Sequence, residues 1–201
     1  MSNNLAGGGS LHGQFITLRP IRVSDAEQTL SWRISQRAAL LNRGAETVEA
    51  QAVWIASRPA TEYNFVIETK AGTSVGMLSL IAVDRINLHA ETARFLIGDE
   101  AAVKGIPAAV EAMKLLYELA FDTLGLRRIY GTIGSKNGLM IKWQKYLGMK
   151  EEGRLRRHYF LNGEFQDAVC MGLLESEYRT ESIPRMKSLI ALGASGKAAH
   201  D

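Results

Sequence analysis

The sequence predicts one domain of mixed α/β class, and three observations carry that expectation. Short runs rich in β-branched and aromatic residues alternate apolar with polar positions, and longer stretches repeat their apolar residues every three to four positions. Between two alternating runs near the end of the chain, Asn162-Gly163 is the dipeptide that best fits a tight antiparallel hairpin. The 201 residues are 46% hydrophobic with only four prolines, enough apolar side chain for a single substantial core.

Residues 1 to 13 are rich in Gly, Ser and Asn and are expected to form a flexible leader, without the basic start and apolar stretch of a signal peptide. "FITLRPI" at 15 to 21 alternates as a strand. "SDAEQTLSWRISQRAALL" follows as a helix, with Ser24 or Asp25 as its cap and Ala26, Leu30 and Ile34 on one face. A second helix is expected over 47 to 58 with Thr47 as its cap. "YNFVIETKAGTSVGMLSLIAV" gives two strands around the turn "KAGTS", and "AETARFLIG" at 90 to 98 gives another. From Pro107, Val110, Met113, Tyr117, Ala120 and Leu124 mark one face of a long amphipathic helix that ends at Gly125. Residues 126 to 134 form the next strand, and 137 to 148 a shorter helix with Met140, Trp143 and Leu147 on one face. The hairpin around Asn162-Gly163 closes the domain, and residues 176 to 201 are expected to be a polar tail with the short segment "MKSLIAL".

Composition excludes several functions. The net charge of +3 and the pI of about 9.0 are too weak and too dispersed to argue for nucleic acid, but they favour an anionic small ligand. Cys170 is the only cysteine, which rules out an intrachain disulfide and a thiolate-cluster metal site and fits a reducing, cytoplasmic compartment. No apolar run approaches the ~18 residues of a membrane span. The expectation is therefore a cytoplasmic protein with a small-molecule substrate, no metal and no nucleic-acid or membrane partner, with a homodimer left open.

The turn Lys104-Gly105-Ile106-Pro107 before the long helix has two readings. It is either a plain helix start or an anion cradle built from unpaired N–H groups at a helix N-terminus. The order of elements, the window Lys104 to Ala109, the continuation "EAM…L…AFDTLGLRRIYGTI", and then Asn137, Gln144 and Leu147-Gly148-Met149 resemble the GNAT superfamily of N-acetyltransferases over residues 15 to 175. The closing "EEGRLRRHYFLNGEFQDAVCMGLL" is similar to the Rim-type branch. Against the family pattern [Q/R]-x-x-G-x-[G/A], Lys104 stands for Arg or Gln, Pro107 for the central glycine, and Ala109 matches the last small residue.

The resemblance implies a GNAT fold over residues 14 to 175: a central mixed, mostly antiparallel sheet of about seven strands, splayed at the cofactor site, with helices on both faces. It implies acetyl-CoA as cosubstrate and no metal. Backbone groups near Lys104, Gly105, Ile106, Ala108 and Ala109 would hold the pyrophosphate, and strand positions Phe95, Leu96 and Ile97 would pair with the pantetheine arm. Asn137 would orient the cofactor or simply cap a helix. An amine must lose its proton before it attacks; for a lysine-like nitrogen at pH 7 that costs about 4.6 kcal/mol. By analogy with superfamily members, Glu91 is the candidate base, its other reading being a solvated strand-edge charge, and His158 is a second choice. Gln144 stands where the family places an acidic tyrosine. Tyr146, two residues on, lies about 200° around the helix and should face away.

For the acceptor, "SWRIS", "EAQAVWIASR" and "VKGIP" are loosely similar to segments of amino-sugar acetyltransferases of bacterial sugar pathways, such as that of pseudaminic acid. Arg154, Arg156 and Arg157, with Tyr159 beside them, would suit a nucleotide-sugar diphosphate. The alternatives are a peptide N-terminus, as in ribosomal-protein acetyltransferases, and a GNAT-fold protein that binds CoA without catalysis.

Overall fold

A computed structural model describes residues 9–198. Strands β1 (Leu11–His12), β2 (Ile16–Pro20), β3 (Tyr63–Thr69), β4 (Ser74–Asp84), β5 (His89–Ile97), β6 (Arg128–Gly134), β7 (Lys150–Leu161) and β8 (Glu164–Leu174) form one sheet. Their spatial order is β1-β2-β3-β4-β5-β6-β8-β7. Every neighbouring pair is antiparallel except β5 with β6. That is one strand more than expected, because Leu11–His12, placed in the leader, pairs with Thr17 and Leu18. Residues 1 to 8 of the expected leader lie outside the described residues.

Period-two alternation sends successive side chains to opposite faces and so builds two cores. Phe65 and Ile67 of β3 and Leu78 and Leu80 of β4 join the larger core with α3 (Ala108–Glu118), which contributes Ala112, Leu116 and Tyr117. Val66 and Met77 face the other way, onto Trp32 of α1 (Ala26–Arg33). Helices therefore cover both faces, as expected. Gly98 has no side chain because Trp32 fills the space a Cβ would need.

Local chemistry accounts for several boundaries. Thr47 caps α2 (Val48–Ala56), its hydroxyl accepting from the Ala50 N–H. Asp25 precedes α1 without capping it; its carboxylate accepts from the Arg22 N–H and pairs with Arg19. Trp32, not Ile34, carries α1's buried face, and Ile34 is exposed. In the β7–β8 hairpin both turn residues, Asn162 and Gly163, have positive φ (52° and 81°), as the two-residue turn demands.

Two expectations need correction. The long helix is α-helical only to Glu118 and finishes in a π-turn over Leu119–Thr123. The segment after 175 is not a loose polar tail: α5 (Glu175–Glu177), a second π-turn (Tyr178–Ser182) and α6 (Ile183–Ala198) continue directly from β8. Tyr178, Ser182 and Met186 are fully buried, and the Tyr178 ring stacks on Phe121. These residues recur every four positions, so the segment holds an apolar stripe beneath its polar composition.

Glu111 is the most unexpected core residue. It lies on α3 at 3% exposure, and its carboxylate accepts from three successive backbone N–H groups: Gln14 (2.6 Å), Phe15 (2.7 Å) and Ile16 (2.8 Å). A side chain at Gly13 would collide with that carboxylate. This clasp fixes the start of β2 against α3.

Candidate active site

β5 and β6 are paired only over His89–Glu91 against Arg128–Tyr130, and beyond Glu91 they part. At the parting point Gly131 supplies the close approach: a Cβ there would sit 3.1 Å from the Thr92 carbonyl oxygen. A cavity of about 400 Å³ occupies the wedge. Its walls include Glu91 to Phe95 of β5, Gly131 to Gly134 of β6, and Met113 and Leu116 of α3. They also include Asn137, Met140 and Gln144 at α4 (Gly138–Tyr146), and Arg33, Arg43 and Trp54 from the α1–α2 side.

A bulge in β5 shapes one wall. Ser79 pairs with Ala93 and Met77 with Leu96, so Arg94 and Phe95 together oppose Leu78. Arg94 has a positive φ of 58°. Its guanidinium donates to Glu62 and Asn64, both at 2.8 Å, and lies over the Trp54 ring. Phe95 stacks on Trp143 of α4 at 5.0 Å.

Charge on the wall is mostly positive. Arg33 donates to the Asn42 carbonyl and, among the described residues, has no carboxylate partner. Burial pulls its guanidinium below the usual arginine value, and the neighbouring Arg94 adds to that. Glu91, at the apex of the wedge, is pushed above the ordinary carboxylate value by burial, with Arg94 and His158 acting in the opposite sense.

The structure brings some of the sequence-expected residues together and separates others. Glu91, Phe95, Asn137, Gln144 and Tyr159 line the cavity. Asn137 caps α4, its Oδ1 accepting from the Met140 N–H, so the cap reading holds while the residue also faces the wedge. Tyr159 reaches the wedge because residues 156–158 form a bulge in β7 opposite Asp167 alone; its hydroxyl then meets Thr132 Oγ1 at 2.6 Å. Leu96 and Ile97 send their side chains into the two cores, so only their backbone could serve a ligand.

Other expectations fall outside the wedge. Tyr146 is 52% exposed on the far side of α4, as its helical phase requires. Arg154, Arg156 and Arg157 do not line the cavity, which corrects the expectation of a diphosphate clamp there. Arg154 pairs with Glu151, while Arg156 and Arg157 ride on the exposed bulge of an edge strand. His158 sits on the same bulge, outside the lining.

The turn before α3 forms a second station. Lys104 and Gly105 are exposed, Gly105 has a φ of +78°, and no atom lies within 4 Å of where its Cβ would be. Pro107 is the N-cap residue, and the first helical hydrogen bond runs from the Glu111 N–H to the Pro107 carbonyl. The N–H groups of Ala108, Ala109 and Val110 therefore have no intrahelical acceptor, and the missing Pro107 donor precedes them. The Pro107 ring packs on Gly193 of α6. Met113, where α3 enters the cavity, is five residues after Ala108, about 7.5 Å along the axis. An open glycine turn, free helix-terminal donors and a wedge between parted strands fit a phosphate-bearing cosubstrate with a long arm such as acetyl-CoA. Among the described residues there is no cluster of His, Cys, Asp and Glu able to hold a metal ion, and no helix is long and apolar enough to cross a membrane.

Sequence reasoning missed Arg33, Arg43, Trp54 and Arg94 as wall residues. The arginines carry no local spacing signal, and Arg94 enters the wall only through the bulge.

Residues 16–150 match the family model for the acetyltransferase (GNAT) domain, and the chain belongs to that family. A spermidine N(1)-acetyltransferase of Escherichia coli strain K12 is 29% identical over 121 residues, 60% of this chain and 63% of the relative, so the match spans less than two thirds of that protein. In fold, a GCN5-related N-acetyltransferase from Brucella melitensis superposes with a TM-score of 0.75 at 23% identity, covering 90% of this chain and 85% of that one. The spermidine N-acetyltransferase of Vibrio cholerae in complex with CoA and spermine superposes with a TM-score of 0.72 at 22% identity, over 82% and 98% of the two chains.

Proposed function

We propose that this chain is an acetyl-CoA-dependent N-acetyltransferase whose acceptor is a primary amine on a molecule that also carries an anionic group. A nucleotide-linked amino sugar, the acceptor class suggested by the sequence, is one such molecule; the Rim-type likeness of the closing strands belongs to the same reading. The pyrophosphate rests on the α3 N-terminus and the Gly105 turn, and the acetyl end reaches the wedge. Glu91, held towards neutrality by burial, is the group placed to take the amine's proton, directly or through water.

One observation carries the acceptor class: with Arg94 paired to Glu62, the charged residues left on the cavity wall are Arg33 and Arg43 against the single carboxylate Glu91. A polyamine brings several positive charges and needs acidic walls; here it would meet guanidinium groups. Two of the named relatives are spermidine acetyltransferases, and spermidine is therefore the competing acceptor. A carboxylate or phosphate on the acceptor would instead pair with Arg33 and Arg43.

The test is thiol release from acetyl-CoA with three panels: spermidine and spermine, peptides with free N-termini, and amines bearing phosphate or carboxylate, nucleotide-linked amino sugars included. The third panel should react best, with kcat/KM falling on Arg33→Gln. Preference for spermidine would overturn the acceptor class, and no turnover with bound CoA would favour a binding protein.

A further inference from the structure

In an acetyl transfer the amine nitrogen bonds to the acetyl carbon, the carbon–sulfur bond breaks, its electron pair leaves on sulfur, and the amine gives up one proton. The leaving sulfur needs either a proton or a stabilising dipole. No tyrosine stands at the α4 position the sequence comparison pointed to; Gln144 does, and an amide N–H is far too weak an acid to transfer its proton. Its surroundings suit a different task.

Gln144 is 6% exposed, and what it shows lines the wedge. Its Oε1 accepts from the Tyr117 hydroxyl at 3.1 Å. Tyr117 belongs to α3 and is wholly buried, and burial pushes its phenol well above the ordinary value, so it is an O–H donor at every pH of interest. Among the described residues its hydroxyl has no other hydrogen-bond partner. Were the amide turned over, its N–H would point at that hydroxyl and leave the phenol proton buried without an acceptor. The remaining neighbour agrees: Nε2 lies 3.9 Å from Met140 Sδ, a weak acceptor that a carbonyl oxygen would not seek. The carbonyl end is thus occupied, and the NH2 end faces Met140 and the wedge with donor capacity left over.

We propose that Gln144 donates a hydrogen bond from Nε2 to the leaving sulfur, and that Tyr117 is the positioning residue that locks the amide in that orientation. The sulfur departs as a thiolate stabilised by a fixed dipole, and the amine's proton goes to Glu91 or water. This inference rests on the acetyl-CoA reading above and assigns a role within it.

The experiment reads the sulfur itself and needs no turnover. CoA bound to the intact protein is titrated by the ultraviolet absorbance of its thiolate, and CoA and desulfo-CoA affinities are compared across the same pH range. In the wild type the bound thiol should titrate below the free thiol, and the affinity ratio of CoA to desulfo-CoA should rise with pH. Gln144→Leu should raise the bound thiol's pKa by about one unit and cut the high-pH affinity ratio about tenfold, leaving desulfo-CoA binding unchanged. Tyr117→Phe keeps the ring packing, frees the amide to rotate, and should give a shift of the same sign and about half the size.

The titratable groups on the cavity wall are Glu91, Tyr159, Arg33, Arg43 and Arg94. Burial pushes the Glu91 carboxyl above its ordinary value, so each titration is repeated in a Glu91→Gln background. A wild-type thiol that titrates as in free CoA, or identical titrations for wild type and both variants, overturns the proposal. If Gln144→Leu does not fold, the comparison of Tyr117→Phe with wild type decides, because it leaves the arginines of the wall in place. Failure of the wild type to bind CoA at all would instead sink the acetyl-CoA reading.

Discussion

Replacing Glu111 by alanine should be among the most damaging single changes in this protein, although Glu111 plays no part in the chemistry. Its carboxylate accepts from the N–H groups of Gln14, Phe15 and Ile16 at 2.6 to 2.8 Å. The three donors do not lose equally. Gln14 is exposed and Phe15 half-exposed, so their N–H groups can turn to water at a cost of roughly 0.5–1 kcal/mol each. Ile16 is fully buried, and its orphaned N–H costs about 1–3 kcal/mol. The lost packing of the Cγ methylene adds about 1 kcal/mol. The sum is about 3–6 kcal/mol, which for a domain of this size shifts the melting temperature by about 6–24 °C.

Glu111→Gln should cost less, about 1–2 kcal/mol, since its carbonyl can keep the Phe15 and Ile16 donors while its NH2 opposes Gln14. The control is Glu118→Ala, two turns further along α3, which breaks the partly exposed i,i+4 pair with Lys114 and should cost under about 0.5 kcal/mol. Calorimetric melting of the four proteins checks the ranking. A Glu111→Ala protein that melts within about 2 °C of wild type would show that the β2 entry is not held by this carboxylate.

Three further outcomes follow from the site. Glu91→Gln should slow turnover and yet raise stability at neutral pH. Burial raises the carboxyl's folded pKa above the unfolded value, so the stability Glu91 contributes is full below the unfolded pKa near 4.5 and is lost as pH rises through the folded value. The melting-temperature gain of the variant should therefore vanish in acid, and a gain independent of pH would contradict this. Gly105→Asp should reduce thermal stabilisation by acetyl-CoA, because it sets a carboxylate against the pyrophosphate and places a side chain at φ +78°; equal stabilisation of both proteins would move the cradle elsewhere. Tyr146→Phe should leave kcat within a few-fold, whereas loss of a true acid typically costs about 100-fold or more.

Much of the frame was legible because it follows periodicities that the chain displays openly. The Asn162-Gly163 turn, the Thr47 cap and the alternating runs of β3 and β4 each depend on a few adjacent residues. The C-terminal segment was misread for a physical reason. Its buried residues Tyr178, Ser182 and Met186 are spaced for a helix, but a serine and a π-turn interrupt the apolar signal, and Pro184 imitates a breaker while sitting in the first turn of α6. Glu111 left a trace that composition alone could not interpret: a carboxylate within the buried stripe of an amphipathic helix, whose partners lie 95 to 97 residues away. The misassigned arginine cluster shows the reverse problem. Three nearby cations in a strand look like an anion site, but the register places them on an outer edge.

The wedge owes its shape to places where the sheet departs from regular pairing. Continuous β5–β6 pairing would satisfy more backbone groups and close the cavity; the two strands part after Glu91 and Tyr130, and this leaves both the space and a carboxylate at its apex. The Arg94 bulge turns a guanidinium and the Phe95 ring onto one wall, and the bulge at 156–158 brings Tyr159 to another. Arg94 and Arg157 both sit at positive φ, which costs of order 1–3 kcal/mol each in a non-glycine residue. Around Arg94 that cost is offset by two hydrogen bonds at 2.8 Å and the Trp54 face, and around Arg157 by the bond from its N–H to Asp167 and the Phe165 face under its guanidinium. Each bulge is thus held by contacts of its own arginine, and each turns a different residue to the wedge.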